Sequence, residues 1–322
     1  MKSVRAFALA IAVIAAPHLA NAAPGYTPLN DESRKDRPLT LSIWYPSNDA
    51  ASQEIGGNAV FAGTAAAINA AVPTQPLPLI VVSHGGLRSA EDSGAWLSAA
   101  LAQAGAIVVE VNAPRPQSAS AATREIWGRP QDISRALDMM MNSPTWKDRI
   151  DQRRISTVGF ALGGTAALMG AGEKMNADLY AQSCASGHAP NPDCAWYAAQ
   201  DVDLATVDFT PLQQPLRDSR ITSAIAIAPE YLAAFDPEAS TRNVPVLLIS
   251  LSGDAALPTD ASPDTLALNV TLSDAFAVCT EAGPEILRED GGDEMLCGQS
   301  QASRLAAHGA MVTAIRRFLG DP

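Results

Sequence analysis

Residues 155–169 read ISTVGFALGGTAALM. The apolar run from Ile155 to Phe160 has the length and composition of a buried strand. A glycine-rich turn follows, Gly159-Phe160-Ala161-Leu162-Gly163-Gly164, and Thr165-Ala166-Ala167-Leu168-Met169 opens a helix. Strand, sharp turn and helix are the setting of the nucleophile elbow, G-x-S-x-G. Gly159 and Gly163 stand at its two glycine positions, where a side chain would collide with the strained central residue. The central position is held by Ala161, and a methyl group cannot attack a carbonyl. A dinucleotide-binding loop also joins a strand to a helix. However, G-x-G-x-x-G needs glycine at 161, and no acidic residue is well placed about 20 residues further on to hold a ribose.

The flanking chain repeats the strand–helix rhythm. Leu79-Ile80-Val81-Val82 predicts a buried strand ending at Ser83-His84-Gly85-Gly86, followed by a helix over 90–104 and a strand over 106–111. A helix is expected over 130–141, with Pro130 early and Asp132 in its first turn. Strands are expected over 221–228, 246–251 and 266–272, and an amphipathic helix over 300–319, with Arg316 and Arg317 near its C-terminal end. Leu39–Tyr45 alternates apolar and polar residues, which predicts an antiparallel, half-exposed strand. Residues 48–78 are rich in Ala, Gly and Pro and read as irregular. The fold class expected is α/β: a mostly parallel central sheet with helices on both faces. Residues 173–220 interrupt the rhythm and read as an insertion carrying one cysteine pair.

Residues 1–22 read as a signal peptide. Lys2 and Arg5 precede an apolar stretch over 6–16, and Ala20-Asn21-Ala22 is a small-x-small cleavage site. One domain over 23–322 is expected to follow, exported to the periplasm or secreted. The chain has 22 Lys and Arg against 34 Asp and Glu, a formal charge of −12, and loses two further positive charges with the leader. That balance argues against nucleic acid and anionic membranes as partners. The four cysteines, Cys184, Cys194, Cys279 and Cys297, are expected to form Cys184–Cys194 and Cys279–Cys297, the simplest of three connectivities in an oxidising compartment. A metal set of Cys184, His188, Asp193 and Cys194 matches no common zinc spacing and ranks below the disulfide. No metal and no cofactor are expected.

Ligands of open parallel sheets bind beyond the carboxyl ends of the strands. Gly85-Gly86, Ala161, Asp254 and His308 fall there, and elbow, acid and histidine occur in the chain order of the α/β-hydrolases. Asp254 alone could be an Asx turn and His308 alone a packed surface histidine; together the catalytic reading prevails. His84 reads as structural and His188 as a loop residue.

The chain resembles the exported dienelactone-hydrolase-like branch of the α/β-hydrolases, akin to platelet-activating-factor acetylhydrolases. The resemblance rests on LSIWYP (41–46), PLIVVSHG (78–85), RPQDISRALD (129–138), the elbow, RDSRI (217–221), VPVLLI (244–249), the segment from Asp254, and the His308 helix. It implies an ester-cleaving triad with Asp254 as acid and His308 as base, and an oxyanion hole of the Gly86 and Leu162 backbone N–H groups. The nucleophile position falls on Ala161. Asn112-Ala113-Pro114 stands where the family has Asp-His-Pro, a second departure expected to loosen the loop beside the site. The resemblance implies a small ester or an acyl or lipid-like ligand. As written, the chain is expected to be impaired in serine chemistry, or to be a binding protein that keeps the hydrolase pocket. Ala161→Ser is expected to recover esterase activity.

Overall fold

The computed structural model describes residues 22–320 apart from 32, 88, 186–192 and 253–264. Residues 1–21 of the expected 1–22 leader, His188 and Asp254 therefore lie outside the described residues. The strands are β1 (Gly25–Asp31), β2 (Leu39–Tyr45), β3 (Gln53–Ile55), β4 (Thr64–Ile68), β5 (Leu77–Ser83), β6 (Ile107–Asn112), β7 (Ile150–Phe160), β8 (Ser223–Ile227), β9 (Val246–Ser252) and β10 (Thr265–Thr271). The helices are α1 (Ala95–Gln103), α2 (Ala119–Ala122), α3 (Glu125–Asn142), α4 (Leu162–Ala171), α5 (Ala177–Ala181), α6 (Cys194–Ala199), α7 (Gly283–Glu289) and α8 (Gln301–Phe318). All ten strands form one sheet in the order β10-β9-β8-β7-β5-β6-β2-β1-β4-β3. Pairing is parallel from β10 through to β6 and antiparallel at β6–β2 and β2–β1.

The central strands are apolar on both faces because helices cover both. Within β5, Leu79 and Val81 face one layer while Ile80 and Val82 face the other, the two-residue period of a pleated strand. The first layer includes Ile133, Leu137 and Met140 of α3 and Ala166 and Leu168 of α4. The second includes Leu97 and Leu101 of α1 and Met311 and Ile315 of α8. A third apolar cluster lies where the insertion packs. It joins Tyr180 of α5, Tyr197 of α6 and Phe209 to Leu87, Leu162 and Ile126. Both disulfides have the expected pairing, Cys184–Cys194 and Cys279–Cys297. The first consumes both thiols that a metal set there would have needed.

Several sequence expectations are corrected. β2 is almost fully buried, because β1 and β6 flank it and Trp44 and Tyr45 fill the two layers. Residues 48–78 include β3 and β4, which extend the sheet beyond β1. The α1 helix starts at Ala95, because the backbone N–H of Gly94 donates to the buried Glu110 carboxylate at 2.7 Å. The α3 helix begins at Glu125 and carries Pro130 in its interior. Pro130 thus removes one internal helix bond, and Glu125 serves side-chain pairing in the first turn.

Candidate active site

β5 and β7 lie side by side with Ser83 opposite Gly159. The chain leaves β5 toward β6 and returns on the opposite flank as β7, so their carboxyl ends meet at the point where the strand order reverses. The two loops are tied together there. Gly85 N–H donates to the Phe160 carbonyl at 3.1 Å, and Gly163 N–H donates to the Gly85 carbonyl at 3.2 Å.

The elbow expected from the sequence is strained at its central residue. Ala161 has φ 54° and ψ −125°, a region that costs a non-glycine residue about 1–3 kcal/mol. Close approach dictates the flanking glycines. A Cβ at Gly159 would stand 2.0 Å from the Gly163 carbonyl oxygen, and one at Gly163 would stand 1.8 Å from that of Ser83.

The backbone N–H groups of Gly86 and Leu162 have no hydrogen-bond partner among the described residues. Arg129 sets the Gly86 loop. Its Nη1 donates to the Gly85 carbonyl at 2.6 Å and its Nη2 to the Gly86 carbonyl at 2.7 Å. In a trans peptide the N–H points opposite to the carbonyl, so holding the Gly85 oxygen turns the Gly86 N–H the other way. Arg129 is steadied by Glu125, which also takes two bonds from Arg37. Arg129 and Asp132, both within the 129–138 stretch, thus brace the site's loop and the helix that carries them. Sequence reasoning had flagged the stretch without a role.

His308 is placed by α8 and α1. Its ring stacks on Trp96, with centroids 3.6 Å apart, and its Nε2 shares a hydrogen bond of 2.9 Å with the Phe276 carbonyl oxygen. Since a carbonyl only accepts, Nε2 carries the proton and donates. Burial pushes the ring down to about 4. The Asp274 charge and backbone favour its charged form, but among the described residues no carboxylate hydrogen-bonds to the ring. The segment after β10, Leu272 to Cys279, reaches the elbow strand through Phe276, whose ring is edge-on to Phe160 at 5.7 Å, and it contains no histidine. His84 is buried, contacts Ser93 Oγ through Nδ1 at 3.3 Å, and is pushed by burial to about 4, in keeping with its structural reading.

Asn112 does not loosen its loop. Its Nδ2 donates to Asp92 and Ser42, and its Oδ1 accepts from the Asp92 backbone N–H, which fastens the end of β6 to the turn before α1. Nearby, burial and the Asp92 charge push Glu110 up to about 8.

The residue that sequence reasoning missed is Glu230, after β8. Its backbone N–H reaches the Ala161 carbonyl at 3.4 Å, and its own carbonyl accepts from Thr165 Oγ1 at 2.6 Å. Its Oε1 lies 3.4 Å from where a Cβ on Gly86 would stand, and its Oε2 is buried with no partner. Burial, with the Asp193 charge second, pushes the carboxyl up to about 8. Ala228 and Tyr231, on either side, have φ of 42° and 57°. The available signal was an acid just past the end of a buried strand, Ile227-Ala228-Pro229-Glu230.

Among solved structures, the chain is similar to a ferulic acid esterase from Streptomyces cinnamoneus. Identity is 20%, the TM-score is 0.55, and the match covers 94% of this chain and 92% of that one. The chain has the α/β-hydrolase fold. A hypothetical protein from Pseudomonas aeruginosa matches 66% of this chain and 45% of its own length at 14% identity and a TM-score of 0.36, too low to carry an argument. No protein-family model and no curated protein matches. Within the α/β-hydrolase fold, the elbow, the unpaired N–H groups and Glu230 occupy the carboxyl ends of β7, β5 and β8.

Proposed function

We propose that this chain is an exported α/β-hydrolase-fold protein, of the dienelactone-hydrolase-like type, that has given up serine ester hydrolysis and keeps the pocket for an acyl or lipid-like ligand. The observation that carries this reading is Ala161 in the strained elbow beside two unpaired backbone donors, Gly86 and Leu162. The polarising part of the site is intact and the attacking part is missing. Asp254 remains the proposed acid of the ancestral triad. His308 is its proposed base by chain order, but its donated Nε2 and a value near 4 make it a poor proton acceptor at neutral pH. The lack of a usable base favours binding over residual catalysis. Export is supported by the leader-like residues 1–22 and by two disulfides.

The test is thermal unfolding with p-nitrophenyl esters of increasing acyl length, with ester consumption followed in the same samples. The reading expects a Tm that rises with ligand concentration while the ester stays intact. Consumption at enzymatic rates, or no shift with any acyl length, overturns it.

A further inference from the structure

Three loops meet at the carboxyl ends of β5, β7 and β8, bringing Glu230 against Gly86 and beside the Ala161-Leu162 backbone. Among the described residues, Gly86 N–H and Leu162 N–H are donors without acceptors. A buried carboxyl oxygen without a partner is costly, and it is costlier when ionised. Glu230 Oε2 is such an oxygen, yet the residue is held there by the Ala161 and Thr165 bonds and by strained backbone on both sides. Among the described residues nothing answers it, which leaves it open to a partner from outside. Gly86 and Glu230 are partly exposed, which leaves a way in.

Resting on the binding reading above, we infer that the site is a receptor for an organic monocarboxylate, held by the N–H groups of Gly86 and Leu162 and by the carboxyl of Glu230. One ligand oxygen takes the two backbone donors and the other accepts the Glu230 proton, forming an acid–carboxylate pair. Ala161 suits this ligand, since its methyl places no nucleophile beside the bound anion. The α4 N-terminus adds a favourable dipole for an anion.

The groups facing Glu230 fix the sign of the pH dependence. Arg129 of α3 favours its ionised form. Asp193, at the start of α6, opposes it. The phenols of Tyr180, Tyr197 and Tyr231 stay neutral, being shifted upward by burial. With its carboxyl pushed up to about 8 by burial, Glu230 is expected to lose its proton between pH 6.5 and 9.5, whereas an aliphatic carboxylate is ionised at both.

Isothermal titration with octanoate and with octanamide tests this on the full chain. Wild type is expected to bind octanoate at least 10-fold more tightly than octanamide at pH 6.5, and to lose at least 10-fold of that affinity by pH 9.5. Glu230→Gln, which donates but does not titrate, is expected to keep octanoate binding and flatten the profile. Glu230→Leu is expected to lose at least 10-fold at pH 6.5. Equal binding of octanoate and octanamide in all three proteins overturns the carboxylate inference while leaving the binding reading standing. Absence of binding by either probe overturns both.

Discussion

Ala161 holds a strained backbone conformation that its methyl side chain does not require. Left-handed backbone costs an L-residue roughly 1–2 kcal/mol, a buried methyl is worth about 0.8 kcal/mol, and glycine adds roughly 0.5–1 kcal/mol of unfolded-state entropy. These terms nearly cancel, so Ala161→Gly should leave stability within about 1 kcal/mol of wild type. Ala161→Val puts a β-branched side chain at positive φ and should cost about 3 kcal/mol. Denaturant midpoints of the two variants check this; a larger loss for Gly than for Val would refute the strain argument. At this scale the sequence was legible where backbone geometry decides. The spacing of Gly159 and Gly163 announced the elbow, because no other residue tolerates a carbonyl 2.0 Å or less from its Cβ position. The partners of side chains were not legible. His308 sits at a sensible place in chain order, but only three dimensions reveal its stacking on Trp96 and its bond to Phe276. Glu230 carried no motif, because its meaning depends on lying against Gly86, 144 positions away in the chain.

Among the elements, the parallel strands were readable because both their faces are buried, which leaves continuous apolar runs such as Leu79-Ile80-Val81-Val82. Short β3 and β4 were not, since Ala-rich and Gly-rich segments carry little periodicity and owe their pairing to β1. The insertion was visible as broken rhythm, and its packing on Leu87 and Leu162 was not. Because α5 and α6 are short, their position over the site depends on the Cys184–Cys194 link, which spans a sequence separation of 10. Cys184→Ser with Cys194→Ser should lower stability by about 2–4 kcal/mol. Protection of the Tyr180 and Tyr197 amides should fall in hydrogen exchange. Unchanged protection of these two amides would show that packing alone holds the insertion.

The whole molecule combines two opposed sets of buried titratable groups. His84 and His308 fall from 6.5 to about 4 on folding, so the unfolded chain binds more protons between those values and stability drops as pH falls through them. Glu110 and Glu230 rise from 4.5 to about 8, so the folded chain binds more protons there and stability drops as pH rises toward 8. The two sets offset one another between about 4.5 and 6.5, where stability should be greatest. From 6.5 to 8 the two carboxyls alone remove on the order of 4 kcal/mol at most. Chemical denaturation at pH 4, 5.5, 7 and 8.5 checks the shape, and a steady rise from 5.5 to 8.5 would be incompatible with it. The same groups bear on activity, since a histidine neutral down to pH 4 is a weak base and Ala161 supplies no nucleophile. The sequence alone led us to expect that restoring the serine would restore the triad. The structure revises that expectation, because His308 Nε2 is already donated to the Phe276 carbonyl. The most direct measurement is p-nitrophenyl butyrate turnover by wild type and by Ala161→Ser at pH 7.5. Both should stay far below the ~1–10³ s⁻¹ of ordinary enzymes, with the serine variant within about tenfold of wild type. Turnover in that enzymatic range by wild type, or its appearance on adding the Ala161→Ser hydroxyl, would contradict the account.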